Sequence, residues 1–241
     1  QLYGGISLSS RPKRRGRSAG REANRAARQR TPVAMSPFID RKIPYFEVLN
    51  DEALETIEYN AETVLEEIGI EFRDFPEALE LLRNAGADID GERVRFPRGM
   101  CRSIIRASAP SEYIQYARNP DRNVVIGGDR TVLVPAYGSP FVRDLDDGRR
   151  YATLGDFQNF VKLAYMSPGL HHSGGTVCEP VDIPVNKRHF DMVYSHIKYS
   201  DKPFMGSVTH PERAEDSVAM AKIVFGDDFV EENTVMTSLI N

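Results

Sequence analysis

The stretch that decides the fold is KRHFDMVYSHIKYS (187–200), PFMGSVT (203–209), PERAEDSVAMAKIVF (211–225) and TVMTSLIN (234–241). The first and third pieces read as helices. Phe190, Val193 and Ile197 share one side of the first, and Pro211 suits the opening turn of the other. The second and fourth pieces are short apolar runs of strand length. Working outward, GLHHSGGTV (169–177) reads as a strand and 153–167 as a helix, with Thr153 and Asp156 spaced as a capping pair. TVLVPAY (131–137) reads as one more strand, and 139–152 as an excursion turning at Asp147-Gly148.

Strands alternating with helices at this spacing predict a parallel sheet with right-handed crossovers. The expected class is α/β, the first half of a (β/α)8 TIM barrel, with a doubly wound sheet as the alternative. No GxGxxG or P-loop follows the first strand, which weakens the nucleotide-binding version of that alternative. The sequence stops within an apolar strand that no helix covers, so it reads as the front part of a longer protein.

Residues 31–129 read as a small α+β extension ahead of the barrel half at 130–241. The clearest helix there spans 50–69, with Leu54, Ile57, Ala61, Val64, Leu65 and Ile68 at helical spacing and Gly69 as its stop. Further helices are expected at 76–85 and 97–108, a hairpin turning at Asp90-Gly91, and strands at 112–117 and 123–126.

Residues 1–30 carry nine basic side chains against one acid, Glu22. The whole chain is at −4 and this arm at +8, so the rest stands at −12. The arm has almost no large apolar residue and is expected to be disordered. An acidic body disfavours nucleic-acid binding, and the arginines have no interleaved aromatics. No apolar run reaches the ~20 residues of a membrane-spanning helix. Cys101 and Cys178 cannot form a disulfide framework, and a cytoplasmic location is expected. Association into a homo-oligomer is compatible with the sequence.

In a βα barrel, working residues lie at the C-terminal ends of the strands and in the loops beyond them. That rule selects Tyr137, His172, Glu179, Asp182 and His210 as candidate substrate-binding residues. Tyr137 offers an aromatic face to a cation. Glu179 and Asp182, flanking Pro180, suit acid–base work or charge pairing; a solvated loop is the bland alternative. His171-His172 with Cys178 and Glu179 invites a metal-dependent hydrolase as a rival reading. Adjacent strand residues face opposite ways, so one histidine of the pair can look into a barrel, and no metal site is expected. Cys101 is assigned no chemistry.

Several phrases together resemble one family. They are LEEIGIEF, ALELLRNAGADIDGERVRFP, YARNPDRNVVIGGD, VPAYGSPFVRDLDDGRRYATLGDF, GGTVCEPVDIPVNKRHFDM, YSDKPFMGSV and TSLIN. In this order they are similar to the N-terminal half of the trimethylamine:corrinoid methyltransferases, over about 35–241. The resemblance implies a (β/α)8 barrel that moves a methyl group from a methylated amine to the cobalt of a corrinoid. That cofactor is carried by a separate cognate corrinoid protein and is not bound directly by this chain. Substrates implied are trimethylamine and quaternary amines such as betaines. Some members use pyrrolysine in the later half of the barrel, so the resemblance names no catalytic residue within 1–241. Placement at strand ends, not the resemblance, selects the five candidates.

Overall fold

Asn50 starts the first long helix by accepting a hydrogen bond from the Ala53 N–H at 2.9 Å. In the computed structural model, which describes residues 36–240, this helix is α1, Asp51–Thr63. The arm expected at 1–30 lies outside the described residues. The helix was expected to run regularly to Gly69; instead Val64–Ile68 widens into a π-helical turn. The Leu65 carbonyl there accepts from Phe96 N at 3.0 Å, and that of Ile68 from the Arg93 guanidinium at 3.0 Å. Gly69 stops the helix at φ 74° against a neighbouring strand, where a Cβ would lie 2.3 Å from the Val94 carbonyl oxygen.

That neighbour belongs to a three-stranded antiparallel sheet of β2 (Ile70–Glu71), β3 (Asp88–Asp90) and β4 (Arg93–Arg95), with β4 central. Asp90 pairs with Arg93, so the turn residues are Gly91-Glu92, one position later than the sequence led us to expect. Helix α2 (Pro76–Asn84) joins β2 to β3. Ala87, Val94 and Phe96 form a small core beneath Leu65, Leu79 and Leu82.

After α3 (Met100–Ser108) comes an antiparallel sheet in the order β1-β7-β6-β5. Its strands are β1 (Ile39–Asp40), β5 (Glu112–Gln115), β6 (Val124–Gly127) and β7 (Arg130–Thr131). The expected strand at 131–137 is thus corrected: only its first residue is paired, and in this sheet. Beyond it, Pro135 has no N–H to give, and Leu133 N donates to the Nδ1 of His171 at 2.9 Å. No regular strand forms at 169–177 either, because Gly174 N donates to Nδ1 of His172 at 2.8 Å. Imidazoles have taken donors that a ladder would use.

The neighbour order is nevertheless clear. His171 N reaches Leu133 O at 3.0 Å, Ser173 N reaches Pro203 O at 2.8 Å, and Met205 N reaches Gly174 O at 2.8 Å. Strand β10 (Phe204–Met205) then pairs in parallel with β11 (Met236–Thr237). Four segments therefore lie side by side in chain order, all running the same way. The described residues form a mixed α/β arrangement and no closed barrel.

Between the first two segments, β8 (Phe141–Arg143) and β9 (Arg149–Tyr151) make the anticipated hairpin, with Gly148 at φ 68° in its turn. Helix α4 (Leu154–Met166) carries the anticipated capping box. Its buried Phe157 and Val161 pack with Val142, Ala152 and Cys178. Lys202, itself buried, donates from Nζ to the carbonyls of Ala164, Ser167 and Leu170 at 2.7–2.9 Å, closing the far end of that helix. Helices α5 (Arg188–Tyr199) and α6 (Pro211–Phe225) agree with the sequence reading, whereas the short α7 (Asp227–Glu232) was missed. No helix among the described residues is long and apolar enough to cross a membrane.

Candidate active site

The ends of the parallel segments are laced together by backbone bonds. Gly138 N donates to Thr176 O at 2.7 Å, and Glu179 N to Ser139 O at 2.9 Å. Tyr137 stands at this junction, half exposed. An added Cβ at position 175 would lie 2.9 Å from both Tyr137 Cε2 and Met205 Cβ, so Gly175 is the seat of the tyrosine ring. Glu179 is exposed on the same loop, with its carboxylate 3.7 Å from the Arg188 guanidinium.

The other three candidates lie elsewhere. Asp182 accepts from Leu154 N at 2.8 Å and is thereby bound to the start of α4. His210 precedes α6, largely exposed, 4.0 Å from Glu212. His172 is buried with both ring nitrogens engaged: Nδ1 accepts from Gly174 N, and Nε2 lies 3.2 Å from Gln115 Oε1. With Nδ1 an acceptor, Nε2 carries the proton and donates to the amide oxygen. Burial, helped by the neighbouring His196, pushes its pKa down to about 3. Both histidines of the pair are buried, where alternation allowed one to face inward. His171 is turned to Leu133 and His172 to Gln115, so each is covered on its own side.

His196 was missed by the sequence reading, which saw only its place on a helix. Its Nδ1 lies 2.7 Å from Ser173 Oγ and its Nε2 2.8 Å from Gly175 O. Nε2–H donates to the carbonyl, and the serine hydroxyl donates to Nδ1. Burial lowers its pKa to about 4. The loop 172–175 is thus held by two neutral imidazoles, directly beneath Tyr137. Gln115 was missed too, though a polar residue at the end of the alternating strand EYIQ was a readable signal.

Cys178 is buried, and burial together with the Asp156 charge pushes its thiol up to about 12. It is a protonated, inert thiol at neutral pH. Among the described residues no group of three or more His, Cys, Asp or Glu side chains could hold a metal ion. The rival hydrolase set of His172, Cys178 and Glu179 is therefore not assembled. Cys101 packs against the small N-terminal core.

Cavities adjoin this region, the smallest, of about 10 Å³, between Gly175, His196 and Met205. One of about 650 Å³ is mainly apolar, between residues 134–143 and the Phe160 and Leu163 side of α4. Another, of about 80 Å³, has a mixed lining that includes Arg188, Arg213, Glu179 and Met192, at the starts of α5 and α6.

The model of the trimethylamine methyltransferase (MTTB) family matches residues 14–241. The chain is also similar to a glycine betaine methyltransferase of Desulfitobacterium hafniense (strain Y51), 49% identical over 200 residues. That match covers 83% of this chain and 41% of the relative's length. The match along nearly the whole sequence fits the phrases from LEEIGIEF to TSLIN, and the chain belongs to the trimethylamine methyltransferase family.

Proposed function

We propose that residues 130–241 are the first half of a (β/α)8 barrel, following an N-terminal extension at 31–129. In this reading the protein moves a methyl group from a methylated amine to the cobalt of a corrinoid carried by a cytoplasmic partner. Support for the barrel comes from the chain-order adjacency of the four parallel segments; a doubly wound sheet reverses its order at a switch point. The 650 Å³ apolar cavity lies on the flank where a closed barrel brings its last strand and helix against its first.

The observation that carries the functional reading is Tyr137 seated on Gly175 beside the Glu179 loop. A quaternary ammonium has no N–H to donate, so it is recognised by aromatic faces and negative charge. Tyr137 supplies the face and Glu179 the charge, and His210 stands on the rim. His172 and Asp182 serve the site by position: one fixes the loop under the tyrosine, the other fixes α4. The corrinoid supplies the nucleophile that accepts the methyl group. The C–N bond breaks with its electron pair left on nitrogen, so a quaternary ammonium leaves as a neutral tertiary amine and needs no proton. The half-exposed Tyr137 and exposed Glu179 leave this end of the segments open to a partner protein.

The test uses the protein expressed from its whole gene, with reduced corrinoid and either glycine betaine or trimethylamine, following the demethylated amine. Turnover of one of them is expected, with KM raised several-fold by Tyr137→Ala. Absence of demethylation with every methylated amine tried would reject the reading.

A further inference from the structure

The 80 Å³ cavity is lined by Arg188, Arg213, Thr209 and His189, with the Glu179 carboxylate and the apolar Val185 and Met192 also lining it. Its volume suits a small headgroup, a few times the ~30 Å³ share of one water. Arg213 is fixed there: Nη1 donates to Thr209 Oγ1 at 2.7 Å and Nη2 to Val185 O at 3.3 Å. Because Thr209 accepts from the arginine, its own O–H remains a donor. Two buried nitrogens on this wall lack any hydrogen-bond partner, Arg188 Nε and His189 Nδ1. The His189 side chain is only 4% exposed, and its other nitrogen lies 2.7 Å from Asp216. Buried polar atoms are rarely left unpaired without a reason. The acid nearest Arg188 is Glu179, at 3.7 Å and about half exposed, beyond normal hydrogen-bond reach.

We propose that this cavity is a carboxylate subsite, with Arg188 and Arg213 as its cationic ligands. A guanidinium fork matches a carboxylate in geometry and charge. The first turn of α5, which begins at Arg188, adds positive potential. The subsite adjoins the amine site, since Thr176 lines the cavity and its carbonyl holds Gly138, next to Tyr137. A ligand spanning the two carries a methylated ammonium at one end and a carboxylate at the other. The substrate class is then an N-methylated amino acid rather than a simple methylamine. This last step rests on the amine-site reading above, whereas the anion cavity stands on its own geometry.

The experiment measures dissociation constants of glycine betaine and tetramethylammonium for the whole protein and for Arg188→Gln and Arg213→Gln. Circular dichroism checks that the variants fold. In parallel, acetate is titrated against the wild-type protein and Arg188→Gln, following the His189 ring signals by NMR. Betaine is expected to bind at least tenfold tighter than tetramethylammonium, and each variant to lose most of that preference while keeping its tetramethylammonium affinity. Arg188→Lys should restore part of it. An unchanged preference in both variants overturns the subsite, even though the amine site survives. If neither cation binds, the amine reading falls, and the acetate titration alone decides. A saturable shift lost in Arg188→Gln then upholds the anion cavity, and no saturable shift overturns it.

Discussion

The Nε2 of His172 lies 3.2 Å from the Oε1 of Gln115, a bond between residues 57 positions apart. The glutamine ends a strand of the N-terminal region, and its Nε2 donates onward to Phe204 O at 2.9 Å. One buried amide thus ties that region to two of the parallel segments. Gln115→Leu would remove it and leave the imidazole N–H and the Phe204 carbonyl unsatisfied. Stability should fall by about 2–3 kcal/mol, read as a lower midpoint in urea unfolding. An unchanged midpoint would show that water or a neighbour can replace the amide.

His172 and His196 make the fold sensitive to mild acid. Both are held neutral, with pKa values near 3 and 4. An unfolded chain has them near the ordinary value of ~6.5. Between these limits the unfolded state binds more protons, so stability rises with pH and is lost as pH falls below the unfolded value. At pH 5 the loss is roughly 2 kcal/mol for each ring. Urea midpoints at pH 7, 6 and 5 should decline, before most carboxylates titrate. A flat series would mean that the rings are solvated in the native state.

The helices were legible because their signals are local. The Thr153–Asp156 pair predicts the start of α4, and Pro211 that of α6, from residues within one turn. The strands were less legible because their pairing is decided by distant groups. No rule of alternation announces that His171 and His172 will intercept the N–H groups of Leu133 and Gly174. The same limit applies to the site. Tyr137 and Glu179 are proposed from their places after apolar runs, whereas Arg188, Arg213 and His189 look in sequence like the polar starts of two helices. Only packing shows that they surround a cavity.

Lys202 shows how much one polar contact set can hold. Its ammonium serves one carbonyl in the last turn of α4 and two beyond it, while its side chain is buried. Lys202→Met keeps the apolar stem and removes the donors. The three acceptors then lose their shared partner, and a loss of about 2–4 kcal/mol is expected. Hydrogen exchange should quicken at residues 164–170 first. Uniform protection there would count against the lysine as the cap.

At the other end of α4, Asp156 joins the capping box to Arg150 through two bonds of 2.6 and 2.8 Å. These bonds and the Thr153 donors hold its carboxyl well below the usual range. Asp156→Asn keeps the shape and loses the charge. A cost of about 1–2 kcal/mol is expected, greatest at neutral pH and shrinking as acid protonates the wild-type carboxyl. A cost that stays constant down to pH 2 would point to geometry rather than charge.

Gly175 couples the seat of Tyr137 to the packing of β10. An alanine there places its Cβ 2.9 Å from Tyr137 Cε2 and from Met205 Cβ. The tyrosine is half exposed and its ring can swing outward, whereas the Met205 Cβ is fixed to β10 and has to move with its strand. Gly175→Ala should lower the unfolding midpoint through the Met205 contact and also bind quaternary amines about tenfold more weakly, within the ~0.5–2 kcal/mol range of a cation–π contact. Tyr137→Ala should cost a similar factor, and the double variant little more, because both remove the same contact. Additive losses in the double variant would mean that Gly175 and Tyr137 act on the amine separately, and that the ring seated on the glycine is not what holds the cation.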